Sequence, residues 1–288
     1  MPADRALPIA QDKHQPMARP RASLWQTTLA LVGGAVLAIA VPTASAAAPT
    51  ITGTTITTTA GTAFSGVIAT STLPPGGASI DWGDGTGESP GTIGADGSIT
   101  GAHTYASAGS FTITMTSGAT VGDSTAVVLT PSQSAVLAGT DATIVPNGGS
   151  GTATVTRPGP SVTATLQQPT GPATLFAAVY TANPEPVPLT AGGFYDLRVV
   201  GGGSTSILTA TFHYTGITGV PLLVFFDAAS GRYEPVLSPS IVVNSAAQTI
   251  VVTLDATTTP SVTRLTGDVF AAAAPPPATP TPTAAFTG

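Results

Sequence analysis

The chain has 288 residues, with 8 Lys+Arg against 14 Asp+Glu, no cysteine, 33 Gly, 27 Pro and only 8% charged residues. A net charge of −6 leaves no basic patch to neutralise phosphates, which argues against a nucleic-acid partner. The missing cysteines exclude a disulfide framework, a thiolate nucleophile and a cysteine zinc site.

The first element in chain order is an export signal. From Thr27 to Val41 the chain reads TTLALVGGAVLAIAV, preceded by Arg19 and Arg21 and followed by Pro42-Thr43-Ala44-Ser45-Ala46. A basic start, an apolar stretch and a small-x-small site make a secretory signal over residues 1–46 with cleavage after Ala46. The stretch is shorter than the roughly 20 apolar residues of a transmembrane helix. Met17 stands where a conventional signal would start. The remaining chain holds twelve acidic residues, no lysine and the arginines Arg157, Arg198, Arg232 and Arg264. Such composition points to a secreted protein, extracellular or displayed at a bacterial cell surface, with no membrane contact after cleavage.

Beyond residue 46 the pattern is that of strands. No stretch carries a 3.6-residue apolar period of helical length. In Phe111–Thr116 the alternation places Phe111, Ile113 and Met115 on one face and threonines on the other. Leu208, Ala210, Phe212 and Tyr214 repeat the pattern, as do Ile250, Val252 and Leu254. Period-2 alternation without helical crossovers predicts antiparallel sandwiches. The expected fold class is all-β, with two tandem immunoglobulin-like sandwich modules, at 47–130 and 131–272, and a Pro/Thr-rich tail at 273–288. The module boundary is drawn near Pro131, where the run Ala126-Val127-Val128-Leu129-Thr130 stops. In the tail, proline forbids ladder pairing and favours an extended, solvated spacer, a candidate for O-glycosylation.

In the first module Ile80 and Trp82 share a strand face, while Asp81 lies on the other. Gly83 and Gly85 flank Asp84 in a tight turn, in which Asp accepts bonds from nearby backbone N–H groups. Tyr105, six residues before Phe111, is placed to return its hydroxyl to the main chain as a corner tyrosine. The segment Trp82-Gly83-Asp84-Gly85-Thr86, followed by His103-Thr104-Tyr105, Gly109 and the FTIT run from Phe111, resembles the PKD-like modules of bacterial secreted and surface proteins. The resemblance covers residues of about 50–130 and implies an immunoglobulin-type fold. A shortened loop around the Gly-rich hairpin Ile93–Ile99 departs from the family pattern.

Asp81, Asp84 and Glu88 are candidate oxygen ligands for calcium, although the spacing is not that of an EF-hand loop; bracing of the GDG turn is the competing role. His103 and His213 have no catalytic spacing around them, and neither HExxH nor GxSxG occurs. His213, between Phe212 and Tyr214, is expected to face solvent. Asp196 and Asp255 are the acids in apolar settings, without forming a recognisable pair. Tyr195, Phe225, Phe226 and Tyr233 are candidates for sugar stacking, but Leu222–Phe226 is apolar on both faces and reads as a buried strand, with a hairpin loop at Asp227–Gly231. No catalytic residue and no cofactor is assigned. The expected function is a non-catalytic extracellular adhesion or spacer protein that meets another protein or the envelope. The alternative is a carbohydrate- or cell-wall-binding module accessory to a secreted hydrolase, its partner a glycan.

Overall fold

The computed structural model describes residues 47–275, which belong to one compact unit beginning at Ala47. The signal at 1–46 lies outside them, as does the tail from residue 276. The described chain is almost entirely strands, as the alternation predicts.

The first eight strands are β1 (Ile51–Gly53), β2 (Thr55–Thr59), β3 (Phe64–Ser71), β4 (Gly76–Asp81), β5 (Glu88–Ile93), β6 (Ser98–His103), β7 (Gly109–Ser117) and β8 (Thr120–Leu129). They are hydrogen-bonded in the order β1-β3-β6-β5-β4-β7-β8-β2. Thr54 is the crossing point between β1, antiparallel to β3, and β2, parallel to β8. Its N–H donates to Ile68 O and its carbonyl accepts from Thr125 N, so one residue ties both ends of the sheet together. Ile68, Ile80, Trp82, Ile93, Ile99, Ile113, Met115, Ala126 and Val128 form the enclosed core. Here the FTIT alternation holds: Ile113 and Met115 are buried and Thr112 and Thr116 exposed.

Pro131 does not merely end a strand. It begins the short helix α1 (Pro131–Ala135), an element that alternation could not announce. Thr130 caps it, accepting from Gln133 N, while the Gln133 side chain accepts from Thr130 N in a reciprocal capping box. The strands that follow are β9 (Leu137–Val145), β10 (Ser150–Val155), β11 (Ser161–Gln167), β12 (Ala173–Tyr180), β13 (Ala191–Gly201), β14 (Ile207–His213), β15 (Leu222–Asp227), β16 (Arg232–Pro235), β17 (Ile241–Asn244), β18 (Thr249–Leu254) and β19 (Thr266–Ala273). They form a five-stranded sheet, β10-β11-β14-β18-β17, and a six-stranded sheet, β16-β15-β19-β13-β12-β9. β19 runs through Ala273, one residue past the expected start of the tail, and Ala274 N still donates to Thr190 O.

The five-stranded sheet shows the simple alternation: Leu208, Ala210, Phe212, Ile250, Val252 and Leu254 point into the core shared with the six-stranded sheet. The six-stranded sheet does not alternate, because both of its faces are covered. Every residue of β12, Ala-Thr-Leu-Phe-Ala-Ala-Val-Tyr, is buried. Leu175, Ala177 and Val179 face the five-stranded sheet. Phe176, Ala178 and Tyr180 face the opposite way, in a third apolar cluster with Val127 and Leu129 of β8. β8 is likewise buried from Ser124 to Leu129, with Ala126 and Val128 in its own core. Continuous apolar runs in an antiparallel protein thus mark strands pressed between two layers. The third cluster joins the two sandwiches.

Candidate functional site

The sequence-predicted residues assemble around one turn at the end of β4. Gly83 and Gly85 have φ values of 75° and 81°, in the left-handed region open to glycine. A Cβ on Gly83 would stand 2.2 Å from Thr112 O, so the turn also needs the empty side. Within it Asp81 Oδ1 accepts from Gly83 N at 2.9 Å, and Asp84 Oδ1 accepts from Thr86 N at 3.2 Å and from the Thr86 hydroxyl at 2.6 Å. Asp84 Oδ2 lies 2.7 Å from His103 Nε2. Burial pushes the Asp84 carboxyl up, but the hydrogen bonds from Thr86 and His103 outweigh it and hold it below the usual carboxylate range.

This turn is anchored to the core through aromatics. Trp82 is fully buried and its Nε1 donates to Ser89 Oγ at 2.7 Å. The His103 ring stacks on it at 4.9 Å between centroids. Tyr105 packs edge-on to both and donates its hydroxyl to Trp82 O at 3.2 Å, which is the corner role expected of it. Burial, followed by the charge of Asp84, pushes the Tyr105 phenol up. Glu88 turns away from Asp84, accepting from the Ser79 hydroxyl. The three candidate calcium ligands therefore address three different sets of protein donors, and no group of three or more His, Cys, Asp or Glu suited to a metal occurs among the described residues.

The other candidates separate. Tyr195 and Phe225 are buried in the second sandwich's core, and Tyr195 donates its hydroxyl to His213 O at 2.6 Å. Phe226 and Tyr233 are half-buried and pack edge-on across the expected β15–β16 hairpin, with the Tyr233 hydroxyl donating to Asn183 Oδ1 at 2.7 Å. None of these presents a free ring face of the kind a sugar platform needs. His213 is half-buried rather than solvent-facing, and its Nδ1 is enclosed without a partner. The cause is its row: Ser161, His213 and Thr249 pair across three adjacent strands and shield one another. Asp255 closes a turn after β18, accepting from Thr257 N and from its hydroxyl, both at 2.7 Å.

Asp196 occupies a site of a different kind. It lies on β13, fully buried, and faces the first sandwich together with Arg198, which is 1% exposed. Arg198 Nε and Nη2 donate to Asp196 Oδ2 at 3.0 and 2.8 Å, and Tyr180 donates its hydroxyl to the same oxygen at 3.0 Å. Arg198 Nη1 crosses the junction to Gly109 O at 3.1 Å and Val128 O at 3.4 Å. Nη2 also reaches Gln133 Oε1 of α1 at 3.5 Å. Gly109, marked in the sequence as a turn residue, thus serves as an acceptor for the second sandwich. Burial works against the guanidinium charge, but Asp196 more than offsets it and raises the Arg198 pKa. Gly267 lies beneath the guanidinium, where a Cβ would approach Arg198 Cζ to 3.1 Å.

Beside this pair runs a cleft of about 300 Å³ lined by Gln133, Glu185, Arg198, Phe226, Gly267 and Asp268, among others. Burial and then the Asp196 charge raise the Asp268 carboxyl from 3.8 to about 6. Burial also raises Glu185, against the lowering effect of a hydrogen bond with the Gln133 side chain. Glu185, Arg198 and Asp268 carried no motif in the sequence. The available signal was Asp196-Leu197-Arg198: opposite charges two residues apart, hence on one face of a strand whose neighbours are all apolar.

The chain matches no protein-family model, and comparison with curated proteins finds no match. Among the described residues no helix is long and apolar enough to cross a membrane.

Proposed function

We propose that this chain is a non-catalytic extracellular interaction and spacer protein, exported by its N-terminal signal and built on a PKD-like, immunoglobulin-type first sandwich followed by a second one. The observation that carries this reading is the doubly covered six-stranded sheet. Through Phe176, Ala178 and Tyr180 against Val127 and Leu129, the two sandwiches share an apolar cluster, and Arg198 ties them by hydrogen bonds to Gly109 and Val128. Such a junction makes a stiff body suited to holding a contact surface at a distance from its attachment. The conspicuous polar groups of the GDG turn support the same reading, since Asp81, Asp84, Thr86 and His103 bond to one another and to the backbone. The PKD-like assignment draws support from Trp82 and Tyr105, whose packing around the turn gives each motif residue a structural task.

The test is a pull-down of the mature chain, residues 47–288, on the producing cell's envelope fractions, beside assays for hydrolysis of polysaccharide and protein substrates. Saturable retention without turnover is expected. Turnover that follows the purified protein would overturn the non-catalytic assignment, and failure to bind any envelope or extracellular protein fraction would overturn the interaction role.

A further inference from the structure

We propose that the cleft between the two sandwiches receives an ammonium or guanidinium group from an extracellular partner protein. This narrows the interaction reading above, and rests on it, by naming the chemistry that the partner brings.

The cleft lies at the junction and is lined by Glu185 and Asp268, with the half-buried ring of Phe226 and the side chains of Gln133 and Arg198. Asp196 stands behind it, so three carboxyls surround one guanidinium. That guanidinium is already committed: it pairs with Asp196 Oδ2 at 2.8 Å and donates to main-chain carbonyls of the first sandwich. Among the described residues neither Glu185 nor Asp268 has an ion-pair partner. A second observation is independent of these two: Asp196 is fully buried, and its Oδ1 has no hydrogen-bond partner. Uncompensated carboxylates in a partly dry cleft are costly, and an entering cation offsets that cost directly. The Phe226 ring supplies an apolar and quadrupolar wall for an alkylammonium or guanidinium.

The cation must come from elsewhere. Residues 47–288 contain no lysine. Arg264 lies 3.8 Å from Asp227, in an exposed pair. Charge complementarity therefore selects a Lys- or Arg-bearing partner, and a second copy of this chain has only its arginines to offer. Groups facing the cleft fix the expected pH dependence. Asp268 feels Asp196 and Arg198 on β13, Asp227 on β15 and Arg264. Glu185 feels Asp196, and its charge in turn reaches Tyr180 on β12 and Tyr233 on β16. Both carboxyls are raised while the cleft lacks a cation, so a bound cation drives them to ionise. Binding then releases protons and weakens as the medium is acidified through about pH 6.

The experiment measures binding of the mature chain to a fluorescent hexalysine peptide and to the same peptide fully acetylated on its side chains. Fluorescence anisotropy is read at about pH 7.5 and about pH 5 in physiological salt. The lysine peptide should bind about tenfold or more tightly than its acetylated twin, and the E185Q/D268N double variant should lose most of that difference. A D96N/D123N variant removes two exposed carboxylates elsewhere and controls for net charge; it should lose less than about threefold. An arginine peptide tests the guanidinium arm, and sedentation with concentration, read by analytical ultracentrifugation, tests whether a second copy fills the cleft instead. Equal losses in the two double variants would refute the cleft as the site, as would concentration-dependent dimers that E185Q/D268N abolishes. Because E185Q/D268N removes repulsion, it should melt no lower than the parent, and a lower melt accompanied by lost binding would also count against the proposal. Envelope retention that survives E185Q/D268N would leave the interaction role standing and remove only this inference.

Discussion

Replacing Arg198 by Met tests the junction where its energetics are concentrated. The side chain is 1% exposed and supplies both charged contacts to Asp196 Oδ2, together with donors for Gly109 O and Val128 O. Met fills most of the volume and continues to pack near Phe176, over whose ring Arg198 Cζ now lies at 5.8 Å. The loss is therefore mainly electrostatic. Asp196 would keep only the Tyr180 hydroxyl at 3.0 Å as a donor, in a site with no solvent access. Leaving one member of a buried pair uncompensated costs about 3–5 kcal/mol. For a chain of this size each kcal/mol lowers the melting temperature by about 2–4 °C, so a drop of roughly 6–20 °C is expected.

The decisive comparison is with the double variant R198M/D196L. Removing both charges restores an apolar contact between strands already buried on both faces, so the double variant should be more stable than R198M alone and within about 1–2 kcal/mol of the parent. Calorimetry and urea titration of the three proteins measure this, with tryptophan emission following the first sandwich and far-UV circular dichroism following both. If R198M costs under about 1 kcal/mol, or the double variant is the less stable one, the buried-pair argument is wrong.

Three further outcomes follow from the same geometry. Asp268 has its folded pKa raised to about 6 from 3.8, so the native state binds the proton more tightly than the unfolded chain; stability should fall by up to about 3 kcal/mol as pH rises from about 4 to about 6, and D268N should flatten that slope in a melting series and raise the midpoint at neutral pH. Trp82, fully buried against His103 and Tyr105, should cost about 3–5 kcal/mol as W82A, whereas a W82A protein that keeps its melting temperature would show that the ring serves contact rather than packing. Asp84 braces the turn through Thr86 and His103, so melts in chelator and in millimolar calcium should coincide; a rise near 2.7 kcal/mol, the effect of a ligand at about 100 times its dissociation constant, would instead establish a cation site.

What could be seen from sequence was whatever depends on neighbours along the chain or across one strand pair. The strand alternation at Ile113 and Met115, the positive-φ turn at Gly83 and Gly85, and the corner bond of Tyr105 are each set by residues within one hairpin or one conserved backbone shape. His213 departed from expectation because its exposure depends on Ser161 and Thr249, which come from strands far apart in sequence. The helix α1 escaped the periodicity argument because five residues are too few to display a period, although Thr130, Pro131 and Gln133 carry a helix-start signature. The glycans' aromatic candidates illustrate the opposite error: Tyr195 and Phe225 lie on strands whose alternation is masked by burial on both faces, so sequence alone could not separate a platform from a core.

The junction was hidden for a related reason, and it explains why a charged pair sits in the most apolar part of the chain. A strand covered on one side can send its polar residues outward; β13, covered on both, cannot, and from Gly192 to Val199 it exposes nothing. Asp196 and Arg198 are two residues apart and hence on one face, the face toward β8 and α1. An apolar pair there would pack the same two sheets together but would leave the carbonyls of Gly109 and Val128 without the donor that Arg198 now provides. The pair thus recognises the end of β7 and β8 as well as each other, and it does so in one register only, since a one-residue slip of β13 would turn both charges into the second sandwich's core. The apolar cluster supplies the adhesion between the sandwiches, and the ion pair selects the alignment in which they adhere.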